Sequence, residues 1–156
     1  NVFYLPDSRY AVDFQSFDYI VDAIDTVSAK LDLIEKAQEY GVPIISAMGC
    51  GNRFDPTKLV VTDIYKTEMD PLAKVMRKEL KKRGVKKLKV VYSTEEPLKT
   101  VDFDENSCDK ASASQEMQSV KTRAKSVPGS TAFVPSVAGL IIASQVAFDL
   151  TEELRK

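Results

Sequence analysis

The chain alternates short, dense apolar runs with stretches whose apolar residues recur every three or four positions. The runs are VFYL (Val2–Leu5), FDYIVDA (Phe17–Ala23), VPIISAMG (Val42–Gly49), KLVVTDIY (Lys58–Tyr65) and KLKVVYS (Lys87–Ser93). Each has the length of a β-strand, and Pro6-Asp7 stops the first. Val42–Gly49 is almost wholly apolar, the pattern of a strand buried on both faces of a parallel sheet. Ahead of it, Val27, Leu31, Ile34 and Ala37 follow a 3.6 period and predict a helix starting at Thr26, with Gly41 placed to close it. Strand, helix and strand within about 30 residues make a βαβ unit, right-handed by the general rule for such crossovers. Asp70-Pro71 opens a second helix, with aspartate as N-cap and proline in the first turn. Leu72, Val75, Met76 and Leu80 give that helix one apolar face. From Gly129 the sequence GSTAFVPSVAGLIIASQVAFDL predicts a closing helix that starts near Pro135. It is apolar nearly all round, so burial is expected. Residues 99–128 are poor in large apolar groups and rich in Ser, Ala, Asp and Lys, and are expected to form a long, mobile loop. The expected class is α/β, as a single domain over residues 1–156, with no internal repeat.

Composition narrows the chemistry. The chain has 156 residues, 44% hydrophobic and 29% charged, enough for one domain with a core. Net charge is -1, but it is unevenly spread. Residues 1–70 carry 12 acids and 6 bases, and residues 71–99 carry 10 bases and 3 acids. Histidine is absent, which removes the commonest general base and any Ser-His-Asp or Cys-His pair built from this chain alone. The two cysteines, Cys50 and Cys108, form no Cys-x-x-Cys motif, so no structural zinc is expected. They read as cytosolic thiols rather than a disulfide framework. No apolar run approaches the roughly 20 residues that span a bilayer, and no signal peptide is recognisable, so a cytoplasmic location without membrane contact is expected. The sequence starts at Asn1 inside a strand-like pattern, which reads as a chain lacking its upstream part.

Four groups carry candidate chemistry. Alternation puts Tyr19, Val21, Ala23 and Asp25 on one side of an extended chain, with Asp22 beside Ile20 and Ile24. Asp25 lies where the strand ends and the helix begins. Ligands of open α/β sheets bind outside the carboxyl ends of strands, and a carboxylate there could hold magnesium on a nucleotide triphosphate. The bland reading makes Asp25 the N-cap of the helix. Next, GCGNRFDPTK (Gly49–Lys58) follows the Val42–Gly49 strand. Gly49, Cys50 and Gly51 read as a substrate-facing loop with a thiol nucleophile, or as a tight turn around a small buried cysteine. It is no phosphate-binding fingerprint, because no further spaced glycine opens a helix. Third, Arg77, Lys78, Lys81, Lys82, Arg83, Lys86, Lys87 and Lys89 could meet an RNA backbone, or form a solvated helix face near a C-terminus. No aromatic residue interleaves them, which argues against a stacking platform. Last, Lys30, one turn into the first helix, either meets a phosphate or carboxylate or is simply solvated.

Three segments carry more: YIVDAIDTVSAK, PIISAMGCGNRFDPTKLVVTDIYKTEMDPLAKVMRKELKKRG and PGSTAFVPSVAGLIIAS. Together they resemble the ThiF/MoeB-like superfamily, the ubiquitin-activating-enzyme fold. Within it they are most similar to the tRNA threonylcarbamoyladenosine dehydratase branch, through the DPT…VTDIYKT..DPLAK stretch. The resemblance covers nearly the whole chain except residues 99–128. It implies the C-terminal part of a Rossmann-like ThiF/MoeB fold, in which the βαβ unit is followed by further strands and a buried final helix. It implies an enzyme that uses ATP and Mg2+ to adenylate a carboxylate, here that of threonylcarbamoyladenosine in tRNA. An intramolecular nucleophile then closes a ring and AMP leaves. The family's strand-end Asp-x-x-Asp matches Asp22 and Asp25, the second being the catalytic, metal- and ATP-binding acid. Ala23, Ile24 and Thr26 match positions that line the nucleotide, and Lys30 matches a basic position. Arg77, Lys78, Lys81, Lys82 and Arg83 become candidate tRNA contacts, and a homodimer is implied. The family's Gly-rich phosphate loop, its arginine and its catalytic lysine have no counterpart in this sequence, so the chain by itself is expected to be inactive. The competing readings are an adenylyltransferase acting on the C-terminus of a ubiquitin-like sulfur carrier, and a non-catalytic dimerisation module. The lack of paired Cys-x-x-Cys motifs favours the tRNA branch.

Overall fold

The computed structural model describes residues 2–99 and 129–155. Four strands, β1 (Ile20–Asp22), β2 (Ile44–Ala47), β3 (Leu59–Asp63) and β4 (Lys89–Ser93), form one sheet in the order β1-β2-β4-β3. Three helices accompany them: α1 (Val27–Glu39), α2 (Pro71–Lys82) and α3 (Val134–Leu150). β1, β2 and β4 are parallel, with Asp22 opposite Ser46 and Ile45 opposite Lys89. β3 runs the other way on the outside of β4, with Leu59 opposite Ser93. The direction follows from the connection. The loop after β2 stays at the carboxyl edge of the sheet, so β3 starts from that edge and must run back.

Alternation along the strands divides the core into layers. Val90 and Tyr92 of β4 face α1 and α2, where Leu31, Ile34, Met76 and Leu80 complete one cluster. Val91 and Ile45 face the other way, onto Val134, Ala138 and Ile142 of α3. The sheet is therefore sandwiched between helices. α1 and α2 each end in a glycine with positive φ, Gly41 at 70° and Gly84 at 74°. Beyond each, a backbone N–H reaches back into the last turn, Val42 to Ala37 O at 2.8 Å and Val85 to Leu80 O at 3.1 Å.

Several expectations need correction. Val2–Leu5 is not a strand; it leads into a 3-10 turn, Pro6–Ala11, whose proline occupies the first turn. β1 is shorter than Phe17–Ala23, because Phe17 closes the turn Phe14–Ser16. Val75 is 46% exposed, and Ala73, rather than Val75, joins Met76 and Leu80 inside. α3 is not buried all round. It rests on the sheet by one side, while Leu140 is 70% exposed, Phe148 55% and Leu150 52%. A helix on a sheet buries only the stripe that meets it, whatever lies on its other sides. The expected loop at 99–128 lies outside the described residues except for Lys99, and Cys108 lies within that excluded stretch.

Candidate nucleotide and substrate site

The carboxyl edge of the sheet opens into a cavity of about 680 Å3. Its walls come from the turn after β1, the loop after β2, the start of α2 and the first half of α3. Of the residues singled out in the sequence, Ala23, Ile24, Asp25, Gly49, Cys50 and Gly51 all line it. The structure thus brings together two stretches with residues 26–48 between them, through the parallel pairing of β1 with β2.

Asp22 and Asp25 have different environments. Asp22 is fully buried. Its Oδ1 accepts from the Ile24 N–H at 3.1 Å and its Oδ2 from the Ser46 hydroxyl at 2.5 Å. Lys30 Nζ lies 2.9 Å from the same Oδ2, and both side chains are shut away from water. The ammonium has no further hydrogen-bond partner. Asp22 therefore fixes the turn that carries Asp25, and Lys30 compensates Asp22 from the first turn of α1. Of the readings of Lys30, contact with a carboxylate is the one the structure shows, and that carboxylate is Asp22; Lys30 is fully buried rather than solvated and is absent from the cavity wall. Thr26 is the cap residue of α1 and also stands outside the wall, and its side chain makes no capping bond. Asp25 is thereby relieved of the capping task. It is exposed, lines the cavity, and has no hydrogen-bond or ion-pair partner among the described residues. A free carboxylate at the carboxyl edge of a parallel sheet can take one position of a magnesium ion whose other ligands are phosphate oxygens and water, the usual arrangement for that ion. Among the described residues no cluster of three or more acidic, Cys or His side chains could hold a metal by itself.

Arg53, which no local pattern singled out, forms the opposite wall with Asp70. The guanidinium is 2% exposed. Its Nη1 lies 3.2 Å from Asp70 Oδ2 and also donates to Gly49 O, and its Nε donates to Glu95 O at 3.1 Å. Nη2 is buried without a partner. Asp70 caps α2 by accepting from the Ala73 N–H at 3.0 Å, and accepts from the Gly49 N–H at 3.1 Å. The only sequence signal for this pair was Asp70 itself, as the N-cap before Pro71. Asn52, held at φ 57°, ties its loop to two other segments, at Leu98 and Gly129. Its O accepts from the Leu98 N–H at 2.7 Å, its N–H donates to Gly129 O at 2.8 Å, and its Oδ1 accepts from the Gly129 N–H at 2.7 Å.

Cys50 does not fit a primed nucleophile. Burial pushes its thiol pKa up, with only partial opposition from the Arg53 charge. The residue packs into the cluster between sheet and α3. A thiol so held stays protonated near neutral pH, and the thiolate is the reactive form.

The basic run is only partly free. Arg77 Nη1 donates to Thr67 O at 2.7 Å and to the Thr67 hydroxyl. Lys82 pairs with Glu79 at 2.7 Å, and Arg83 with Glu79 at 2.9 Å and Glu35 at 3.4 Å. Lys78 and Lys81 are exposed and unpaired among the described residues.

Comparison with known proteins agrees with this layout. The tRNA threonylcarbamoyladenosine dehydratase of Bacillus subtilis is 38% identical over 162 residues, 99% of this chain and 59% of the relative. The chain is related to the tRNA threonylcarbamoyladenosine dehydratases. The Saccharomyces cerevisiae dehydratase 2 is 36% identical over 146 residues, covering 87% of this chain and 31% of its own length. Among solved structures, the Escherichia coli dehydratase TcdA in complex with AMP superimposes with a TM-score of 0.75 at 26% identity, over 99% of this chain and 57% of that one. TcdA in complex with ATP gives 0.70 at 25% identity. The fold is thus that of a ThiF/MoeB-like enzyme, and the chain spans roughly three fifths of the length of the Bacillus subtilis dehydratase. Models of protein families produced no match. No helix among the described residues is long and apolar enough to cross a membrane.

Proposed function

We propose that this chain supplies the metal-binding wall of an ATP-dependent site that adenylates the carboxylate of threonylcarbamoyladenosine in tRNA. The observation that carries the reading is Asp25, an unpartnered carboxylate on the cavity at the sheet's carboxyl edge, in a chain related to dehydratases of that name. Asp25 would hold the magnesium ion, which supplies charge neutralisation at the phosphates. In the reaction, a substrate carboxylate oxygen bonds to the α-phosphorus of ATP and the bond to pyrophosphate breaks. The acyl-adenylate then loses AMP as an internal nucleophile closes a ring, and the net change in the substrate is loss of water. Ala23 and Ile24 shape the nucleotide side of the cavity, and Gly49–Gly51 the substrate side. Asp22, Thr26 and Lys30 act from outside the wall, as supports of the turn.

We propose further that the protein works in the cytoplasm as a homodimer. Among the described residues, exposed Leu140 and Leu150 on α3 support association of this kind.

The test follows AMP release from Mg-ATP by the intact protein, with and without tRNA bearing threonylcarbamoyladenosine, and with Asp25→Ala. Release that requires the modified tRNA, and falls by on the order of 100-fold or more in the variant, is expected. Release indifferent to tRNA but stimulated by a ubiquitin-like carrier would transfer the site to protein activation. Absence of release under every condition would leave a binding module.

A further inference from the structure

Pairing removes Arg77, Lys82, Arg83 and Lys89 from the basic run, Lys86 and Lys87 lie beyond the end of α2, and Lys74 extends the exposed part of the helix. Lys74, Lys78 and Lys81 are all exposed, and none has a partner among the described residues. They stand at i, i+4 and i+7, so they share one side of α2. The only acid of α2 is Glu79, and it is taken by Lys82 and Arg83 on another flank. Ala73, Met76 and Leu80 hold the helix to the core from the far side, so the lysines face water. Arg77 lies at the margin of the row and is tied down by Thr67.

The position of the row matters as much as its charge. α2 starts at the cavity, whose wall includes Asp70, Pro71 and Leu72. With a rise of about 1.5 Å per residue, the row runs along α2 away from the cavity mouth with a lysine roughly every 4.5–6 Å, on the scale of one nucleotide step. We propose that Lys74, Lys78 and Lys81 hold the phosphate backbone of the RNA whose modified base enters the cavity. The proposal rests on the tRNA reading above and gives it a docking surface. A free nucleotide is too short to use an exposed row of this length, whereas a polyanion gains from each lysine in turn. Lysines are point charges without fixed planar geometry, and no aromatic residue accompanies them. They therefore position the strand and leave selection of the base to the cavity.

The experiment uses the intact protein and Lys74→Gln/Lys78→Gln/Lys81→Gln, with the three Lys→Arg changes as a charge-preserving control. Affinity is measured for tRNA with and without threonylcarbamoyladenosine across a salt series, beside Mg-ATP binding and melting temperature. The glutamine variant is expected to lose roughly tenfold or more in tRNA affinity at low salt. Its salt slope should fall by about two, from about 0.7 per single-strand phosphate contact. Both tRNAs should lose equally, the arginine variant should keep its affinity, and ATP binding and melting should not move. Unchanged affinity and slope, with tRNA still bound, would overturn the stripe while leaving the proposed function in place. Loss confined to the modified tRNA would also overturn it, since a backbone contact cannot see the modification. Failure of the unaltered protein to bind tRNA at any salt, with ATP still bound, would remove the tRNA reading itself and the stripe with it.

Discussion

Asp22 and Asp25 are three residues apart and identical in chemistry, and burial alone separates their tasks. Asp22 sits on the inner side of β1, where the Ile24 N–H, the Ser46 hydroxyl and Lys30 meet it. A buried ion pair of this kind does little for net stability, yet breaking it is costly because the surviving charge has nowhere to go. Asp22→Ala should therefore destabilise the protein by about 3–5 kcal/mol, leaving Lys30 buried and alone. Asp22→Leu combined with Lys30→Met should recover most of that loss, because no charge is then stranded. Chemical denaturation of the single and double variants measures this directly. A double variant no more stable than Asp22→Ala would show that the pair itself, rather than the stranded charge, holds the turn. Asp25 offers the contrasting case, since nothing in the fold depends on its carboxylate. Its substitution belongs to the activity assay, and melting should not register it.

At the scale of elements, the decisive junction is between the loop after β2 and the start of α2. Gly49 lies under the Asp70 carboxylate. A Cβ there would sit 3.3 Å from Asp70 Oδ1 and 3.7 Å from Arg53 Nη1. Neither group can yield easily, since Asp70 is held by three partners and Arg53 is buried. Gly49→Ala should cost about 1–3 kcal/mol, in the manner of an overpacked core. A melting curve identical to that of the unaltered protein would mean the loop shifts without resistance. This junction also marks the limit of what the sequence discloses. Asp70-Pro71 announces a helix start locally, and the pattern from Val27 to Ala37 announces α1. Arg53 announces nothing, because its partner is 17 residues away and only the fold brings them together. Lys30 stayed ambiguous for the same reason: a lysine one turn into a helix can be solvated or can meet a carboxylate, and only the fold shows that it reaches Asp22. The direction of β3 was hidden too, since the apolar run from Lys58 to Tyr65 is compatible with either orientation in the sheet. The basic run shows its charge in sequence, but not which of its members are already satisfied.

Among the described residues, two surfaces stand out at the scale of the whole molecule, the outer side of α3 and the cavity. α3 reads as buried in sequence because apolarity reports what a helix can bury, while the structure shows what this chain covers. The cavity argument is electrostatic. Among the described residues, its charged lining consists of two carboxylates, Asp25 and Asp70, and one guanidinium, Arg53. Arg53 is already spent on Asp70, and Lys30 is turned inward to Asp22. A triphosphate brings several negative charges, and this wall offers it no uncompensated cation. Magnesium on Asp25 offsets part of that charge and leaves the rest unmatched. Charge of this kind is paired where ATP is held tightly, so the donors must come from outside the described residues. The wall built by the described residues should therefore hold Mg-ATP more weakly than about 1 mM, less than about 4 kcal/mol of binding free energy. It should release no AMP. Isothermal titration of the isolated chain against Mg-ATP, after circular dichroism has confirmed its fold, decides the matter. Binding in the micromolar range would mean that a cation enters the cavity unseen, with Arg53 exchanging Asp70 for phosphate as the first place to look. In that event Arg53→Gln should abolish the binding, and Asp70→Asn should tighten it.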